Sequence, residues 1–179
     1  MRDVSYRVAL GGIVAALCLV TMFLAGVIPA LYLVLPMTAG VLLMIIAEEV
    51  SRSWALLTYV AVGILSLFIT FDKEAALIFI MLFGHYPIVR LYISKVPLRV
   101  LRVGLKLLIS NVCIIAYFFV TVYIFGLDQL LDEMGDYGRY GAYILLGMAN
   151  AVFIMYDFNL ESAYKLYRKR LAPKFKRKR

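Results

Sequence analysis

Residues 8–47 read VALGGIVAALCLVTMFLAGVIPALYLVLPMTAGVLLMIIA, forty consecutive positions without a charged side chain. A helix needs about 20 apolar residues to cross the hydrocarbon core of a bilayer, so this stretch is long enough for two crossings. It divides at Gly26-Val27-Ile28-Pro29. Proline has no N–H and ends the helix before it, yet it fits the first turn of the next one. The first span is therefore expected over about 8–28 and the second over about 30–47, with Pro36 either kinking the second or marking a later start.

The remaining chain repeats this pattern. A polar turn at 48–53 carries Ser51 and Ser53 as helix caps, and Trp54 opens a span over about 54–71 as an interfacial anchor. Asp72-Lys73-Glu74 is a tight turn. A fourth span over about 75–93 is interrupted at Gly84-His85-Tyr86-Pro87, where Pro87 removes a helical hydrogen bond and a kink is expected. Residues 94–105 interleave Lys95, Arg99 and Arg102 with apolar positions, as an amphipathic segment on a membrane surface does. A fifth span follows at about 106–126. Leu127, Leu130, Leu131 and Met134 then recur at helical spacing among Asp128, Asp132, Glu133 and Asp136, which predicts a short surface helix. The sixth span, about 140–157, is expected to continue beyond the membrane into a basic tail, 158–179. The fold class is thus all-α, a single membrane domain of six transmembrane helices.

Charge gives the orientation. Of the 19 Lys and Arg residues, 17 fall in the N-terminal tail, the second and fourth connections and the C-terminal tail; Lys73 and Arg139 are the other two. Basic connections stay in the cytoplasm, so both termini are expected there, in a bacterial cell membrane. The composition agrees: 64% of residues are hydrophobic, against about 45–50% in soluble domains. Orientation and anionic headgroups at the inner face account for the net charge of +8, and no nucleic acid is expected as a partner. Cys18 and Cys113 lie in apolar segments without metal-ligand spacing and read as small buried hydrophobes.

Several residues stand out as candidate sites. In the first span, Gly11/Ala15 and Gly12/Ala16 are small-xxx-small pairs which, with Ala9, form a helix-docking face, either within the bundle or for another subunit. The connection between the first two spans is expected to be a tight hairpin. Non-helical backbone at membrane depth must otherwise be covered by protein or line a water-filled cavity, so a cavity near 25–36 is the alternative. Glu48, Glu49 and Asp157 form a candidate acidic site at the inner edge, with pairing to basic residues of 90–106 or to Arg7 and Arg52 as the structural reading. His85, the single histidine, is expected to face the bundle rather than lipid and to form an intramembrane polar site with Tyr86, Asn111 and Asn150, either fixing packing, relaying a proton or binding a ligand. No nucleotide loop, HExxH or GxSxG occurs, so neither catalysis nor a metal or other cofactor is expected, and ATP-driven work would use another subunit's ATPase.

The basic tail followed by Arg7-Val8-Ala9-Leu10-Gly11-Gly12-Ile13-Val14-Ala15-Ala16, with Pro36-Met37-Thr38-Ala39-Gly40 and the span from Trp54, resembles the S components of energy-coupling factor transporters. The chain also resembles small polytopic proteins of Gram-positive bacteria. The first resemblance implies six helices, cytoplasmic termini, small-solute binding from outside, and docking of a membrane coupling subunit and its ATPases on the first helix. It carries no ligand residues over to this chain. The alternative function is a structural or assembly protein that binds other membrane proteins or anionic lipid through its basic face.

Overall fold

A computed structural model describes residues 2–126, 131, 132, 135 and 138–170. Every regular element among them is helical: α1 (Arg2–Val27), α2 (Val34–Glu49), α3 (Arg52–Ile69), α4 (Lys73–Ile78), α5 (Tyr86–Ile93), α6 (Arg99–Phe119) and α7 (Gly141–Arg170). Among the described residues, five helical segments are long and apolar enough to cross a membrane: Val4–Val27, Arg52–Ile69, Lys73–Ile93, Arg99–Ile124 and Gly138–Arg170. The chain is a multi-pass membrane protein on that basis. The second expected span is the shorter one. Its α2 has 16 residues, roughly 24 Å of helix at 1.5 Å per residue.

The division at Pro29 follows from local backbone rules. Ile28 is pushed out of the helical region (φ −116°, ψ 89°) as the residue before a proline. Pro29–Leu31 forms a single 3-10 turn. Pro36 lies in the first turn of α2, where backbone N–H groups lack intrahelical partners, so the helix starts later than residue 30 rather than kinking. Ser51 Oγ accepts from Trp54 N at 3.3 Å to cap α3, and Asp72 Oδ1 accepts from Glu74 N and Ala75 N at 2.9 and 3.2 Å to cap α4.

The kink at 84–87 takes a specific form. Phe79–Phe83 is a π-helical turn, closed by Gly84 N to Phe79 O at 2.7 Å. Its exposed carbonyls find tyrosines on neighbouring helices. Tyr59 Oη donates to Ile80 O at 2.7 Å. Tyr156 Oη donates to Phe83 O at 3.0 Å, the carbonyl that Pro87, lacking an N–H, cannot pair.

Two buried clusters share α2. One joins Val14, Cys18 and Met22 of α1 to Ala39, Leu43 and Ile46 of α2, Ala55 and Val62 of α3, and Phe79. The other joins Met44 of α2 to Phe83, Tyr86, Tyr117, Phe153, Tyr156 and Leu160. Close backbone approach fixes both. A Cβ at Gly40 would overlap the Tyr156 hydroxyl and Phe83 O, and one at Gly26 would stand 2.8 Å from Phe71 N. Outside these clusters α1, α3, α6 and α7 expose Leu17, Val20, Leu57, Phe68, Leu108, Ile154 and Phe158 among others, apolar surface suited to lipid.

Residues 99–105 differ from the amphipathic surface segment expected for them. They are the first turns of α6, continuous with the span, because nothing between Arg99 and Phe119 breaks the helix. The basic residues instead tie the preceding turn: Arg102 donates to Val96 O at 2.8 and 3.2 Å. The helix expected around Asp128, Glu133 and Asp136 lies largely outside the described residues, as does the tail 171–179.

Candidate functional site

The start of α1, the end of α7, the α2–α3 turn and the α5–α6 turn share one end of the bundle, where Tyr167 meets Glu49 and Arg52 meets Tyr92. The α1–α2 and α3–α4 turns share the other. Polar chemistry concentrates in two places between these ends.

Toward the termini, Asp157 of α7 gathers three donors. Tyr86 Oη and Arg90 Nε reach Oδ1 at 2.6 and 3.1 Å, and Lys106 Nζ reaches Oδ2 at 2.6 Å. Arg90 also bridges to Glu161 Oε2 at 3.5 Å, and Glu161 Oε1 takes Lys165 at 2.8 Å. The Asp157/Glu161 i,i+4 pair, unfavourable on an isolated helix, is thereby neutralised by one guanidinium. Arg90 and Lys106 side chains are each 14% exposed and Asp157 20%, so the centre of the network is largely buried, while Glu161 and Lys165 reach its exposed edge. Glu49 is separate from it: Glu49 accepts from Tyr167 Oη, Glu48 is exposed, and Arg52 stacks over Tyr92 at 4.4 Å. The expected acidic site is thus two sites, and Asp157 has the basic partners from 90–106 that its sequence position suggested.

The expected intramembrane polar group also divides. Asn111 and Asn150 pair reciprocally, Nδ2 to Oδ1 at 3.1 and 3.0 Å, and each Nδ2 also donates to a carbonyl one turn earlier, Leu107 O and Leu146 O. That double pairing ties α6 to α7. His85 Nε2 lies 3.5 Å from Cys113 Sγ, and its ring meets the Tyr59 ring at 60°, centroids 6.3 Å apart. Tyr86 belongs to the Asp157 network. No group of three or more metal-ligating side chains occurs among the described residues.

The second place is a cavity of about 730 Å³ at the end away from the termini. Its walls come from Pro29, Tyr32 and Leu33 before α2, from Ile78 and Leu82, from Ser110, Ile114 and Tyr117 on α6, and from Leu145, Ala149 and Phe153 on α7. Phe83 and Phe153 form part of the lining. Behind them Tyr156 and Tyr86 pack edge-on, with ring centroids 4.7 Å apart in both pairs. An aromatic layer thus separates the cavity from the Asp157 network. Among the described residues, Asp72 and Glu74 are the charged ones in the lining. Tyr117 Oη donates to Glu74 Oε1 at 2.9 Å. Ser110 is 3% exposed, and its Oγ has no hydrogen-bond partner among the described residues.

A tight hairpin was the expectation for 25–36 and a cavity the alternative; the connection makes a single 3-10 turn at Pro29–Leu31, and Pro29, Tyr32 and Leu33 also line a cavity. Glu74, Ser110 and Tyr117 were missed: Glu74 read as part of a turn, and a lone hydroxyl in an apolar span gives no signal. On α1 the small residues divide by helical phase. Gly11 is buried against Thr58 and Ala15 half-buried, while Ala9, Gly12 and Ala16, at i, i+3 and i+7, form an exposed stripe. No protein-family model matches this chain, and neither a curated protein nor a solved structure shows significant similarity to it.

Proposed function

We propose that the chain is a non-catalytic, transport-related membrane subunit, similar to an S component, that binds a small solute and relies on a partner's ATPases. The observation that carries this reading is the cavity beside α2. Its volume falls within the range of small-molecule sites, and it combines an apolar wall with a few polar groups, as such sites do. In this reading residues 29–49 supply a sixth crossing, with the 3-10 turn extending the short α2. The basic end, with both termini, faces the cytoplasm of a bacterial cell, and the cavity lies toward the outside. The exposed Ala9, Gly12 and Ala16 stripe offers a close-approach surface for a coupling subunit.

The test is co-purification of tagged full-length chain from native membranes. Gly12→Leu and Ala16→Leu, which meet open space or the exterior rather than the core, should abolish recovery of an ATPase-bearing partner while leaving the protein folded. Unchanged association, or no ATPase partner with the unaltered chain, refutes the reading. A second reading, an assembly protein held on anionic lipid, draws on the exposed Lys95, Arg99, Lys165, Arg168, Lys169 and Arg170. It requires binding that depends on residues 165–179 and is indifferent to Gly12 and Ala16.

A further inference from the structure

We infer that the cavity takes a cationic amphiphile: an amine or other organic cation carried on an aromatic or aliphatic body. This rests on the solute-binding reading above and specifies its ligand. Three independent observations converge.

The first is charge. Among the described residues, both charged residues that line the cavity are acidic, Asp72 and Glu74. The nearby cation, Lys73, is turned to the backbone, donating to Leu67 O and Thr70 O at 2.6 and 3.2 Å. Its charge caps the α3 C-terminus, where a cation is stabilising. An anionic solute entering here meets like charge in a low-dielectric wall, whereas a cation gains a partner.

The second is the aromatic lining. Tyr32, Tyr117 and Phe153 line the cavity from three different segments. Ring faces attract organic cations while also accommodating an apolar body. The third is Ser110. A buried hydroxyl without a partner is costly, and Ser110 lines the cavity two helical turns before Tyr117, whose hydroxyl meets Glu74. A ligand with one polar atom at its far end would satisfy it. The site therefore combines two carboxylates, an aromatic and aliphatic lining, and one unpaired hydroxyl set apart from the carboxylates along α6.

The experiment uses the full chain in phosphatidylcholine nanodiscs, with empty nanodiscs subtracting partition into lipid. Three probes share an indole body: tryptamine is cationic, tryptophol neutral and indole-3-acetate anionic. Equilibrium dialysis should show saturable tryptamine binding about tenfold tighter than tryptophol, the equivalent of one organic cation meeting carboxylate and ring faces, and no saturable indole-3-acetate binding. Glu74→Gln should bring tryptamine down to the tryptophol level. Ser110→Phe or Leu145→Trp, whichever retains the unfolding temperature of the unaltered chain, should fill the cavity and abolish binding. Equal affinity for all three probes, or preference for the anion, overturns the cationic class while leaving solute binding in place. No saturable binding of any probe, or a retained phospholipid that none of them displaces, overturns both.

Discussion

Replacing Asp157 with Asn tests whether the ion network holds the α5, α6 and α7 ends together. Removing one partner of a buried ion pair costs about 3–5 kcal/mol, because the other charge is left desolvated. Three features of this site lower that figure. Asp157 is 20% exposed, an Asn oxygen still accepts from Tyr86, and Arg90 retains Glu161 at 3.5 Å. Lys106, 2.6 Å from Asp157 and 14% exposed, is the cation most affected. The expected loss is about 2–3 kcal/mol. Lys106→Met, which leaves Asp157 with Tyr86 and Arg90, should cost about 1 kcal/mol, the scale of one net hydrogen bond. The double variant should be less destabilised than the sum by about 1–2 kcal/mol, as contacting charged residues usually are. Reversible unfolding in mixed micelles by increasing sodium dodecyl sulfate supplies the measurement. The single tryptophan, Trp54, reports loss of the α1–α3 cluster, and circular dichroism reports the helices. An Asp157→Asn variant within about 0.5 kcal/mol of the unaltered chain, or strict additivity in the cycle, would refute the argument that this network is stabilising.

The remaining predictions concern packing and topology. Gly40→Ala places a Cβ onto the Tyr156 hydroxyl and Phe83 O; overpacking and the lost hydrogen bond outweigh the gain in helix propensity, for a net loss of about 2 kcal/mol in the same unfolding assay. Stability equal to or above that of the unaltered chain would refute the close α2–α7 approach. Single cysteines placed at Lys73 and at Arg170, in a background with Cys18 and Cys113 replaced, should react with a membrane-impermeant maleimide from opposite sides, Lys73 from outside intact cells and Arg170 only after lysis. Labelling of both positions in intact cells would exclude the charge-based orientation.

The amino-acid sequence alone determined the helical class and most helix positions. One uncharged stretch long enough for two crossings, divided at Pro29, and further single-crossing stretches between polar turns leave few other arrangements, since every backbone group inside lipid must be paired within its own segment. It also made the discontinuity at 84–87 legible, because proline removes a donor wherever it stands. Pairing Asp157 with the 90–106 region followed from burial cost: a carboxylate at that depth requires a cation.

Tertiary structure decided the rest. Which side of α1 is buried is settled by packing against Thr58 and the α2 residues, which divides one run of small residues into Gly11 inside and Gly12 outside. Tyr59 and Tyr156 answer the open carbonyls of the π turn from helices 21 and 73 positions away, too distant for any local pattern to predict. The reciprocal pair of Asn111 and Asn150 separates them from His85, although a shared polar site was the natural expectation from residue type. The cavity is the clearest case. Its walls come from segments that meet only when the bundle closes, and the unpaired hydroxyl of Ser110 has no meaning until its surroundings are known. Hydropathy and charge act along the chain and can be read there, whereas empty volume is a property of how helices pack and has no counterpart in sequence order.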